Sequence, residues 1–190
     1  MKVSTVVLIS ALALALNVST TYADERTPEQ VKAAREFTVE GVGFNATPQT
    51  IRAKWPTATS VPKQSNPQIG LECIRVEGTA NTDGIDFFFL DGKLMNMLVW
   101  YFPSRTSKMG SWSTIAEKVV ARLGKADVDS KGLDQDSKSK EICEYDWVIE
   151  DAERWVRLHV TTEFSVLKVW DREVARKKLA KEKATAETGF

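Results

Sequence analysis

Two cysteines and one histidine are all that this 190-residue chain holds of the side chains that most often carry nucleophilic or zinc chemistry. One His and two Cys fall short of the four ligands of a structural zinc site. The sequence also lacks a G-x-S-x-G nucleophile elbow and a glycine-rich loop that would cradle phosphate. Its histidine, His159, lies inside a β-prone run with no serine or cysteine at a telling spacing, so it reads as a packing or surface residue rather than a base. Net charge is missing as well, since 26 basic residues balance 26 acidic ones. That leaves no electrostatic footprint for nucleic acid or an anionic membrane. The expectation is a non-enzymatic protein with no cofactor and no metal.

Long apolar runs are scarce too. The conspicuous one, Val6–Leu16, follows Met1-Lys2 and is shorter than the about 20 residues a transmembrane helix requires. It leads to the small-residue site Thr21-Tyr22-Ala23. A charged start, a short apolar core and an A-x-A-like end predict a secretory signal peptide over residues 1–23. The chain is then exported, to a periplasm or outside the cell. In an exported chain an isolated cysteine pair more often forms one disulfide than two thiols. A Cys73–Cys143 bridge is therefore expected; closing a loop of about 70 residues would add about 4 kcal/mol in the chain-entropy model. The other reading is two buried free cysteines, each acting as a small hydrophobe.

What the chain does hold is organised around Gly84–Phe102, GIDFFFLDGKLMNMLVWYF. Apolar, β-prone runs flank Asp91-Gly92, a strong hairpin signal. Thr27 with Gln30, and Thr47 with Pro48, announce two short helices by capping chemistry. Phe37–Phe44 reads as a marginal strand and Leu71–Gly78 as a better one. Trp112–Leu123 is the clearest helix, with Ile115, Val119, Val120 and Leu123 on one stripe, a Thr114/Glu117 capping box and Gly124 after its end. Asp127–Lys140 is almost free of apolar residues and reads as a solvated loop, and its interspersed Lys131 and Lys138 occupy EF-hand ligand positions, which argues against calcium. Cys143–Ile149, Arg154–Thr162 and Phe164–Trp170 are three closing strands, with Glu144, Asp146 and Glu150 as a solvent side. Residues 171–190, rich in Lys, Glu and Ala, read as a frayed helix or disordered tail.

The pattern of helix, polar loop, strand and hairpin occurs over residues 47–102 and again over 113–170. A single α+β domain over 24–170 is predicted, with a curved antiparallel sheet, helices packed on one face, and two tandem repeats. Leu123-Gly124-Lys125-Ala126 and Tyr145-Asp146-Trp147 resemble the "LGxP … W" rhythm of tandem helix–strand–strand repeats, with Ala126 where proline is usual. In this the chain resembles the β-lactamase inhibitory protein fold and the BamE (SmpA/OmlA) envelope-assembly fold, although it has no lipid-attachment cysteine. The resemblance implies that fold and a non-catalytic, protein-binding habit.

Helices cover only one face of such a sheet. Trp155, Arg157 and His159, with Lys168 and Trp170 from the next strand and Trp100 or Tyr101 from the hairpin, are the candidates for the uncovered face, since Trp, Tyr and Arg dominate interface hot spots. Their alternative is core and edge cover. The favoured function is a protein-binding module, inhibitor-like or an accessory of envelope assembly. The alternative is a carrier of a small apolar ligand held between sheet and helices.

Overall fold

The computed structural model describes residues 26–108, 111–131 and 141–188. Residues 1–23, expected as a signal peptide, and the aspartates Asp134 and Asp136 of the 127–140 stretch lie outside them. Eight strands form one sheet: β1 (Thr59–Ser60), β2 (Leu71–Glu77), β3 (Gly84–Leu90), β4 (Lys93–Tyr101), β5 (Val128–Lys131), β6 (Glu141–Ile149), β7 (Arg154–Thr161) and β8 (Ser165–Asp171). Each pairing is antiparallel, and the order is β1-β2-β3-β4-β8-β7-β6-β5. Read inward from either edge, the strands run in chain order and meet at β4 and β8. The hairpin turn is as expected: Asp91 and Gly92 both take positive φ, 50° and 76°, as a two-residue I′ turn demands.

The register sorts every side chain to one of two faces. Ile74, Phe87, Met97, Val169, Val156 and Trp147 are cross-strand neighbours in one row and belong to the main core. Three helices cover that face: α1 (Pro28–Arg35), α2 (Pro48–Lys54) and α4 (Ser113–Leu123). They contribute Ala34, Ile51, Ile115, Val119 and Leu123 to the same core. Thr27 and Thr47 cap α1 and α2 through capping boxes, with proline at the first position of each. The Thr114/Glu117 box does not form, because α4 starts at Ser113 with Trp112 as its cap and no capping side chain. Phe37–Phe44 is no strand; Val39 and Val42 bridge across a tight Glu40-Gly41 turn. Pro103–Lys108 is the short helix α3, and the start of the Asp127–Lys140 stretch supplies the edge strand β5.

The helices are not confined to one face. The charged stretch after Asp171 forms α5 (Arg172–Thr188), which lies across one end of the second face, where Val174 and Ala175 bury against Leu90 and Met95. Asp171 starts it by accepting the Val174 N–H at 3.0 Å, an N-cap bond. Lys181 then ties the helix to the hairpin turn, pairing with Asp91 at 2.6 Å and donating to the Ile69 carbonyl at 3.1 Å.

The expected disulfide does not form, and both cysteines are buried thiols. Sheet order is the reason. Four strands separate β2 from β6, which at about 4.8 Å per spacing is roughly 24 Å; a disulfide needs Cα atoms within about 7 Å. The two side chains also point to opposite faces: Cys143 pairs with Val160 in the main core, whereas Cys73 pairs with Phe88 on the other side.

Candidate functional site

On the second face, beyond the reach of α5, the register builds one row of Arg75, Asp86, Leu98, Lys168, Arg157 and Asp146 across six strands. Its ends are two bidentate ion pairs. The Arg75 Nε and Nη2 donate to the two oxygens of Asp86 at 2.6 and 2.7 Å. Arg157 does the same to Asp146 at 2.7 and 2.9 Å. In each pair one tryptophan indole N–H adds a bond to the carboxylate: Trp100 to Asp86 at 3.2 Å, Trp155 to Asp146 at 3.1 Å. Fork-on-fork pairs of this kind are the strongest and most directional of protein ion pairs.

Burial differs within each pair. The Asp86 side chain is 0 % exposed and that of Asp146 10 %, while Arg75 and Arg157 show 33 % and 24 % of theirs. The carboxylates thus lie beneath the guanidinium groups. Burial pushes the Asp146 carboxyl above its ordinary range, although Arg157 pulls it down. The Arg75 guanidinium, bonded to Asp86, is held still more firmly protonated. In the adjoining row His159 Nδ1 lies 3.3 Å from Glu144 Oε2, and Arg157 reaches the same carboxylate at 3.2 Å. The His159 hydrogen bond holds Glu144 below its usual value against the opposing pull of burial, with Arg157 and Lys168 adding to the effect.

Of the residues singled out from sequence, Trp155, Arg157, His159, Lys168, Trp170 and Trp100 all fall on this face. Trp155 and Trp170 stack with ring centroids 4.3 Å apart, and Arg157 lies 4.6 Å over the Trp155 ring. Stacking leaves the two tryptophans only 9 % and 8 % exposed, so they stiffen the face more than they show on it. Trp100 packs edge-on to Phe164 at 5.6 Å. Tyr101 does not join them; strand alternation sends it to the covered face, in the main core. Cys73, on this same face, is no nucleophile. Burial first, and Asp86 second, push its thiol up to about 12, and its S–H donates to Gln64 at 3.1 Å.

Arg75, Asp86 and Leu98 are not among the residues singled out from sequence, and the alternation of β6 assigns both Glu144 and Asp146 to a solvent side. A signal existed for the pairs. The partners are 11 residues apart in both halves, Arg75 with Asp86 and Asp146 with Arg157. No family model, curated protein or solved structure matches this chain.

Proposed function

We propose that the chain is a non-catalytic protein-binding module that acts, after export, through the strip of the second sheet face left open by α5. The observation that carries this reading is the pair of Arg–Asp–Trp arrays. Long arginine side chains normally lose rotamer freedom on binding, at about 0.5–1.5 kcal/mol each. Here the buried carboxylates have already immobilised them, with Leu98 and Lys168 between the two arrays. Because the carboxylates lie beneath and the cationic groups above, the strip suits a partner that offers acidic side chains around an apolar contact at Leu98 and Trp100.

Two finer points belong to the same proposal. The inward-running strand order and the equal spacing of the two ion pairs support a tandem repeat over about 47–102 and 113–170, with the polarity of the pair reversed between halves. The architecture is then a curved sheet of the inhibitory-protein or BamE kind.

Arginine variants make a poor test, because removing Arg157 strands a buried Asp146 and unfolds the site for reasons unrelated to a partner. A photo-crosslinking residue at Leu98 is better, compared with one at Val120, which is 42 % exposed on α4 on the far side of the molecule. In an envelope or secreted extract, a discrete protein adduct is expected from position 98 alone, and it should vanish in Lys168→Glu. Adducts from both positions, or from neither, would remove the reading.

A further inference from the structure

Between α4 and the middle of the sheet lies a cavity of about 580 Å3, within the roughly 300–1,000 Å3 that small-molecule sites occupy. Its floor is Tyr101 of β4 and Leu167 of β8, one wall is Ile115 and Val119 of α4, and the other is Phe37 and Val39. Thr38, Ala80, Asn81 and Thr82 complete the lining, so the cavity is apolar along α4 and the sheet and polar toward the neighbouring turn.

The polar groups at its edge are unevenly committed. Glu40 is tied to the neighbouring turn, accepting from Thr79 Oγ1 at 2.8 Å and Asn81 Nδ2 at 3.1 Å. Lys118 and Arg122 also line the cavity, one turn apart on α4. Among the described residues neither forms an ion pair; Arg122 instead rests 4.8 Å over the Phe37 ring, at the cavity wall. Tyr101 is 91 % buried, and its hydroxyl makes no hydrogen bond among the described residues. Burial first, and the Glu40 charge second, push that phenol up to about 12, so it is a proton donor at any physiological pH.

We propose that this cavity binds an amphipathic carboxylate, with an apolar chain lying between α4 and the sheet and its head group met by Lys118, Arg122 and the Tyr101 hydroxyl. The pairing follows from complementarity: an apolar wall and floor along α4 and the sheet, two cations at the edge that form no ion pair among the described residues, and a largely buried neutral donor. The site lies on the opposite face from the Leu98 strip, so it stands or falls apart from the protein-binding reading.

Dodecanoate and dodecylamine, which share a chain and differ in head-group charge, are the probes, titrated below micelle formation into the full chain by calorimetry. Saturable binding of dodecanoate at one site is expected, with the amine at least about tenfold weaker. Lys118→Glu/Arg122→Glu, which changes only exposed positions, should reverse that order. Val119→Trp, which fills the space, should abolish both. Should the tryptophan variant not fold, the charge-reversed variant decides alone. Equal binding of the two probes, an order unchanged by charge reversal, or no saturable binding by the folded wild type would overturn the proposal.

Discussion

Carboxylates on the second face titrate in opposite senses, and that follows from what touches each. Glu144 is held below its ordinary 4.5 chiefly by the His159 hydrogen bond. A depressed folded pKa gives stability that is present above the unfolded value and lost as pH falls through the folded one. Asp146 is raised, chiefly by burial, so between its unfolded and folded values the native state binds more protons and stability falls as pH rises. Urea midpoints measured through the acid range should therefore decline less steeply on acidification in Glu144→Gln than in the wild type, and more steeply in Asp146→Asn. Identical slopes in all three would show that the environments of the two carboxylates are wrongly described. The cysteines make the second residue-scale prediction. With Cys73 pushed to about 12 and Cys143 1 % exposed, Ellman's reagent should find no thiol in the native protein and two in denaturant without reductant. No thiol in denaturant would mean that the bridge forms after all. Pairing was not legible, because alternation says which way a cysteine points along its own strand but not which strands lie between two of them. Tyr101 shows the same limit from the other side: in LVWY every position is apolar, and only the register tells Trp100 from Tyr101.

Helices and turns were legible wherever a local rule dictated them. Thr27, Thr47 and the Asp91-Gly92 turn announced themselves, since caps and I′ turns depend on residues three or four apart. The last helix did not. Over Arg172–Thr188 the apolar stripe reduces to little more than Val174, Ala175 and Leu179, and the Asp171 cap is one residue in a polar stretch. What α5 buries against is the Met95 bulge of β4, where the register shifts between Phe88 and Phe89, and no local pattern marks that. The anchor at the other end of α5 rests on Gly70. Its φ is +74°, and a Cβ there would lie 2.2 Å from Asp91 Oδ1, the carboxylate that holds Lys181. Gly70→Ala should cost about 2–3 kcal/mol, combining the left-handed penalty with the displacement of Asp91. Lys181→Ala, which breaks the exposed pair with Asp91 and the bond to the Ile69 carbonyl, should cost about 1 kcal/mol. Chemical denaturation separates the two, and equal losses would mean that the turn, not Gly70, yields to the added methyl.

Across the whole molecule, two halves that read as repeats share more than a boundary. The β4–β8 ladder runs through six consecutive pairs, Asn96 with Trp170 to Tyr101 with Ser165, and one core continues beneath it from Ile74 on β2 to Trp147 on β6. Neither half can release its side of that core without exposing the other's, so a single cooperative transition is expected rather than two. Tryptophans report on both halves, Trp55 and Trp100 in the first and Trp147, Trp155 and Trp170 in the second. Urea unfolding followed by fluorescence, by far-UV circular dichroism and by the near-UV signal of the stacked Trp155–Trp170 pair should therefore superimpose. The proposed carboxylate site makes the same coupling testable from within, because its floor is Tyr101 and Leu167, one residue from each side of the join. A ligand seated there binds neither half alone. Dodecanoate at 100 times its dissociation constant should thus raise the one transition by about 2.7 kcal/mol, moving all three signals together. A shift confined to one signal would mean that the halves unfold separately and that the cavity belongs to only one of them.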